Sequence, residues 1–269
     1  MRSKVLYGLI LLILCGSFSK SRAQGTEEVS SKGTDFWIAS TYPFYSNDSF
    51  LIAVSSSKPT RAYMSIPGFN IYDSLELGYN EIKYFVVPSS IRRSYYYYRQ
   101  NGGGSLNNKI GENAIHITSI LPIRVFSFST GTYYSSGATA VYPSTSQPLD
   151  GKYYPYKSRY QWTGGLQRYR IYFFSVVAID DSVTVKLNIN KSIQLWNRPP
   201  GDTVRLKKGQ MVRFYMWAFN INDEPKLSAQ ATGGKRIAVF SENFYDFEDN
   251  NCRSFDLMYE QMMPENLLG

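Results

Sequence analysis

Hydrolysis of a glycosidic bond needs only two carboxyl groups facing each other across the substrate. The most acidic stretch of this 269-residue chain holds Asp246, Glu248 and Asp249, with Asp256 and Glu260 shortly after. A pair drawn from Asp246 or Glu248 with Asp256 is the candidate for such chemistry. The same run could offer oxygens to calcium, but it lacks the glycine and the closing glutamate of an EF-hand loop. A solvated acidic loop accounts for it better. Histidine chemistry is confined to His116, the only histidine, set between Ile115 and Ile117 with no cysteine or second histidine at metal-ligand spacing. No G-x-S-x-G elbow occurs, and Gly102-Gly103-Gly104-Ser105 lacks the G-K-[ST] ending of a phosphate loop. No metal, no cofactor and no catalytic set is expected, and the chain reads as a non-enzyme.

Recognition chemistry is better represented. Arg92, Arg93, Tyr95, Tyr96, Tyr97 and Tyr98 form one aromatic and cationic cluster. Tyr153, Tyr154, Tyr156 and Trp162 mark a second. Tyrosine and arginine bury area at low entropic cost and still offer hydrogen bonds, so they concentrate at binding hot spots. Aromatic faces also stack on sugar rings, which makes a glycan or a glycoprotein the expected partner. The competing expectation is that alternate tyrosines pack inward on a sheet. Asn47 and Asn190 fit the N-glycosylation pattern, which matters in a eukaryotic source.

The elements that must position these residues are announced by a repeat. Ile115–Ser127, IHITSILPIRVFS, comes back 114 residues later as Ala229–Ser241, AQATGGKRIAVFS. Thr118 meets Thr232, Ile123 meets Ile237, Val125 meets Val239 and Phe126 meets Phe240, and both copies alternate with the period of two of a β-strand. The central ILPI and TGGK supply turn-forming residues, so each copy is expected to be a hairpin closing a β-rich unit. Phe50–Val54, Thr60–Ile66 and Ile82–Val87 read as strands of the first unit. Tyr172–Val177, Val183–Ile189, Val204–Leu206 and Met211–Met216 read as strands of the second. The front halves align about nine residues out of step with the repeats, which marks Arg92–Asn108 as an insertion in the first unit. The fold class expected is all-β, two repeated β-sandwich-like units packed in tandem, with a short terminal helix over Phe255–Met262.

That plan divides the chain into a signal peptide (1–23), a polar run-in (24–32), a first β-unit (33–130), a tyrosine-rich linker (131–170) and a second β-unit (171–269). Arg2 and Lys4 precede the apolar run Val5–Leu14, and Ser21-Arg22-Ala23 supplies the small residues of a cleavage site. The mature protein is therefore expected to begin near Gln24, unlipidated at Cys15, and to be secreted or displayed at the cell surface. No segment is long and apolar enough to span a bilayer as a helix. Of the formal charge of +8, four positives lie in the leader, leaving +4 with the signs interspersed. Such a balance does not point to nucleic acid. Only Cys252 survives cleavage, so no disulfide framework is expected.

GTDFWIA at Gly33–Ala39, the repeated P-I-R-V-F and R-I-A-V-F, the Leu149–Tyr154 segment and the closing Asp256-x-x-x-Glu260-Gln261-x-x-Pro264 together resemble the IgGFc-binding protein N-terminal domain family. Cys252 and Leu257 depart from that family's pattern around Asp256. The resemblance implies an extracellular binding module, carries over no catalytic residue, and names immunoglobulin Fc as a partner of some members. It also implies that the second unit is cut short at Gly269. The expected function is a secreted or surface-exposed adhesion module recognising a glycoprotein or glycan. The rival expectations are a carbohydrate-active enzyme using the paired carboxylates and a structural extracellular-matrix component.

Overall fold

The computed structural model describes residues 30–41, 49–88, 91, 110–130, 137–155, 162–164, 167–189, 193–195, 202–218, 227–246 and 256–265. Their architecture is almost entirely antiparallel β. The strands are β1 (Lys32–Ile38), β2 (Ser49–Ser56), β3 (Thr60–Ile66), β4 (Ile71–Leu77), β5 (Glu81–Val87), β6 (Ile115–Thr130) and β7 (Gly137–Val141). Then follow β8 (Lys152–Tyr153), β9 (Trp162–Gly164), β10 (Gln167–Ala178), β11 (Val183–Ile189) and β12 (Ile193–Leu195). The last five are β13 (Thr203–Leu206), β14 (Met211–Ala218), β15 (Leu227–Thr232), β16 (Ile237–Asp246) and β17 (Asp256–Gln261). A seven-stranded sheet has the order β4-β3-β6-β2-β5, with β1 and β7 also on β6. A six-stranded sheet runs β12-β14-β10-β16-β17 with β9 on β10, and a four-stranded sheet runs β13-β11-β15-β8.

Alternation decides which side chains meet. In β3 the buried Thr60, Ala62, Met64 and Ile66 face one core, while Arg61 and Tyr63 face outward. In the six-stranded sheet both faces are covered. Phe174, Val176, Ala178 and Val239 join the core shared with the four-stranded sheet, and Val177, Ile179, Met211, Ala238 and Phe240 join the core of the seven-stranded sheet. The six-stranded sheet is thus the middle layer of three.

Neither repeat is a hairpin. The first copy runs through β6 without turning back: His116–Ser119 pair with β3, and Arg124–Thr130 pair with β2. Opposite β1 the register jumps from Asp35↔Thr118 to Gly33↔Ile123, so Ser119–Pro122 bulge out of that pairing. Pro122 sits where no ladder needs its missing N–H. In the second copy β15 pairs with β11 and β8, whereas β16 pairs with β10 and β17. Gly233 and Gly234, at φ of 82° and 68°, let the chain cross from one sheet to the other. Arg236 fastens that crossing to the β10–β11 turn, donating from its Nη2 to Asp180 Oδ1 at 2.7 Å and from its backbone N–H to Oδ2 at 2.8 Å.

Strand neighbours recur in the same order on both sides of the chain. β5 lies on β2 as β14 lies on β10, β4 on β3 as β13 on β11, and β7 on β6 as β17 on β16. The stretch expected to be a linker, 131–170, contributes β7 to the first sheet and β8 to the third. The terminal helix expected over Phe255–Met262 is instead strand β17, held by pairs from Phe240↔Gln261 to Asp246↔Asp256. The ladder on β16 supplies partners for a backbone whose own sequence has no helical stripe, and Tyr259 and Gln261 turn together into the interior.

Candidate functional site

Four strands of the first sheet, β4-β3-β6-β1, lay two rows of side chains across their outer face. The register aligns Ser74, Tyr63, Thr118 and Asp35 in one row. The neighbouring row is Tyr72, Ser65, His116 and Trp37. Residues directly opposite in such pairs stand about 5 Å apart at Cβ, so each row is a continuous strip. At one end stand the two tyrosines, Tyr63 39% and Tyr72 72% exposed, with Arg61 hydrogen-bonded beside Tyr63. At the other end the polar groups are tied together.

His116 Nε2 donates to Asp35 Oδ2 at 2.8 Å, and the hydroxyl of Ser144 donates to Asp35 Oδ1. The His116 ring stacks on Trp37 with centroids 3.9 Å apart and planes 8° from parallel. Lys208 Nζ stands 6.0 Å from the Trp37 ring centre. Gly209, at φ 75°, brings its backbone so close that an added Cβ would lie 3.0 Å from the indole, which is why a glycine serves at this turn. Trp37 is therefore covered although it belongs to the outer face.

Burial opposes ionisation of Asp35, but the hydrogen bonds from His116 and Ser144 and the nearby charge of Lys208 outweigh it and hold the carboxyl below its ordinary value of 3.8. The hydrogen bonds from Arg236 lower Asp180 in the same direction. A carboxyl whose folded value lies below its unfolded one stabilises the fold fully above the unfolded value, and the contribution fades as pH falls through the folded one. Unfolding free energy should accordingly be level near neutrality and fall below pH about 4. Asp35→Asn should flatten that acid limb in urea titrations at stepped pH, and an unaltered limb would remove Asp35 from the account.

The cluster does not form a hydrolytic triad. Asp35 stands between Ser144 and His116 and takes both protons, whereas a nucleophilic serine must give its proton to the imidazole. What the two rows can do is recognition: two tyrosine rings for stacking, beside hydroxyls and a fixed carboxylate for hydrogen bonds. No group of three His, Cys, Asp or Glu side chains among the described residues could hold a metal.

The residues singled out from sequence are distributed differently. Tyr153 is fully buried, its hydroxyl within 2.9 Å of Gln147 Oε1 and 3.0 Å of the Ile237 carbonyl, and burial pushes its pKa up. It is a core residue, because the β8 ladder turns its ring inward, and it cannot meet a ligand. Its neighbour Tyr154 points out, 40% exposed, with Lys152 Nζ 4.8 Å from its ring centre and its hydroxyl donating to Glu265 at 3.0 Å. Trp162 lies in β9, its side chain outside the described ones. Arg92, Arg93, Tyr95–Tyr98, Tyr156, Asn47, Asn190, Glu248 and Cys252 fall outside the described residues, as does the leader. The register of β16 and β17 sets Asp246 directly opposite Asp256. Sequence reading missed Tyr63, Tyr72, Asp35 and Thr118. The usable signal was the outward phase of β3, Arg61-x-Tyr63-x-Ser65.

Among the described residues no helix is long and apolar enough to cross a membrane. Residues 137–269 match the family model described as IgGFc binding protein. No curated protein matches the chain. Among solved structures, an anti-sigma factor domain-containing protein aligns over 77% of this chain and 78% of its own at 10% identity, with a TM-score of 0.15 that carries no argument.

Proposed function

We propose, from the match of residues 137–269 to the IgGFc binding protein family model, that this chain is an extracellular, non-catalytic module which binds a glycan displayed on a glycoprotein. Two repeated β-units form its scaffold, and the recurring order of strand neighbours supports that reading. The observation that carries the ligand class is the pair of outward rows on β4-β3-β6-β1. Exposed Tyr63 and Tyr72 stand in line with Thr118, Ser65 and the Asp35–His116 pair. Sugars present apolar C–H faces and ringed hydroxyls at once, and a strip of aromatic faces beside fixed acceptors matches both.

Tyr63→Ser and Tyr72→Ser test this on a glycan array that includes intact and deglycosylated IgG Fc. Each true anchor should cost about 1–3 kcal/mol of binding. The unfolding midpoint should hold, because both rings stand in solvent. Stable variants that bind as tightly as the parent would remove this face as the site. The observation favouring a hydrolase is the placement of Asp246 opposite Asp256. Cleavage of any array glycan, abolished by Asp256→Asn, would replace the binding reading by that one.

A further inference from the structure

The other half of the first sheet, β5-β2-β6-β7, has an outer face of a different kind. Across it the register aligns Val86, Leu51 and Phe128 in one row and Tyr84, Ala53 and Phe126 in the next, with Ile82 beginning a third. On β5 every outward position is apolar: Ile82 is 58% exposed, Tyr84 53% and Val86 61%. A sheet face meant for water alternates to polar residues, as β4 does with Ser74 and Glu76. Polar residues stand only at its two ends, where Ser55 pairs with Arg124 and Ser49 with Thr130.

The second half of the chain shows what such a face is for. Aligned on the repeat, where Phe126 corresponds to Phe240, the row through Ala53 and Tyr84 corresponds to the row through Ser175 and Arg213. The row through Ile82 corresponds to that through Met211 and Val177. Ser175, Arg213, Phe240, Met211 and Val177 are all at most 3% exposed, because the first half of the chain covers them. The chain already buries one copy of this face against its own first half, whereas in the other copy Ile82, Tyr84 and Val86 stay exposed, Leu51, Phe126 and Phe128 are half-buried and Ala53 lies beneath them.

We propose that the open face is a homodimer interface, in which two copies of the chain stack β5-β2-β6-β7 against β5-β2-β6-β7. A standard interface buries about 800 Å² per partner around an apolar centre, and Tyr84, Val86, Leu51, Phe126 and Phe128 supply such a centre here. Face-to-face stacking of two such sheets needs no change in either, since sheets pack at about 10 Å as in any sandwich. A two-fold axis along the middle row carries the two Arg124 side chains to opposite ends, where they do not repel. Edge-to-edge pairing is disfavoured: on edge strand β5, Lys83 Nζ is drawn to the Glu76 carbonyl at 2.5 Å and to Glu81 at 3.2 Å, and a lysine on an edge deters another strand.

Sedimentation velocity of the mature chain over roughly 1–100 µM should show a monomer–dimer equilibrium ending at twice the chain mass. Tyr84→Lys and, separately, Val86→Lys should weaken dimerisation by at least about 100-fold, since each replaces a large exposed apolar side chain of the face by a charge and the two-fold brings both copies of it into one interface. Circular dichroism and the melting temperature of the monomeric variants should match the parent at low concentration, and binding through the Tyr63–Tyr72 face should be retained. A parent that stays monomeric throughout, with the face covered by its own chain or by another partner, would overturn the proposal. A dimer that survives both lysines, or an open-ended series of larger species, would overturn it too. If Tyr84→Lys does not fold, Val86→Lys decides.

Discussion

Val239→Asp should leave the protein largely unfolded at 37 °C, and Val125→Asp should do the same. Val125 is 1% exposed and lies between Val54 and Val141 in the register of β2, β6 and β7. Val239 is 0% exposed and stands opposite Val176 on β10. A carboxylate at either place would lose its water with no cation facing it on the neighbouring strands, at a cost of several kcal/mol. That is most of the 5–15 kcal/mol by which a domain is stable. The two valines occupy the same place in the repeat, yet one belongs to the core of the seven-stranded sheet and the other to the core between the middle and third layers. Denaturant melts of both variants check the prediction together with its specificity, because Ile82→Asp on the open face should cost far less. A melting temperature unchanged at either valine would mean that the repeat does not mark the interior.

Strands were legible wherever one face is buried and the other wet, because alternation is then written into the sequence. β3 is the clear example, with TRAYMSI stepping in and out residue by residue, whereas IKYFVV was legible from its β-branched and aromatic run, its outward Ile82, Tyr84 and Val86 being apolar too. β4 was missed for the same reason inverted: Asp73 shares a side with Ile71, Leu75 and Leu77, and one acid in the inward phase hides the period. β17 was misread because Gln261 is buried beside Tyr259, and a buried amide looks like surface until its partners are known. Gln261 Oε1 accepts from the Tyr142 N–H at 2.7 Å, a contact 119 residues away in sequence. Turn chemistry misled at Pro122, where a proline marked a bulge and not a reversal.

The candidate site was less legible than the fold because it is a property of register across strands distant in sequence. Asp35, Tyr63, Tyr72, Thr118 and His116 come from β1, β3, β4 and β6, and no local spacing brings them together. His116 was recognised as a strand histidine, but its pairing with Asp35, 81 residues away, could not be read. Composition drew the eye to runs of tyrosine instead. In Tyr153-Tyr154 the strand sends the first ring inward and the second outward, so adjacent tyrosines have opposite fates and a run of them is no evidence of a surface.

Arg213→Met should destabilise the protein by about 3–5 kcal/mol, by stripping a buried carboxylate of its counter-ion. Arg213 and Glu242 are both 3% exposed, and the guanidinium Nη2 lies 3.7 Å from Glu242 Oε2. Nε of Arg213 donates to Ser175 Oγ at 2.9 Å, and Nη2 donates to the carbonyl of Ser40. One residue earlier the carbonyl of Ala39 accepts from the Tyr259 hydroxyl at 2.6 Å, and burial pushes that phenol's pKa up. Two successive carbonyls just past β1, in the first half of the chain, are thus held by side chains of the middle sheet. Buried carbonyls need partners, and those donors come only when the middle sheet is docked. The loss in Arg213→Met should be worth roughly 10 °C of melting temperature for a chain of this size. Removing the acid as well should recover part of it, since Arg213→Met with Glu242→Gln leaves no charge behind. Tyr259→Phe should cost less, about 1–3 kcal/mol, for one unmade hydrogen bond to a buried carbonyl. Thermal and urea unfolding of the three variants orders them. A double variant less stable than Arg213→Met alone would show that Glu242 is held by groups other than Arg213, and an Arg213→Met variant as stable as the parent would show that the hydrogen bond to the Ser40 carbonyl does not latch the halves together.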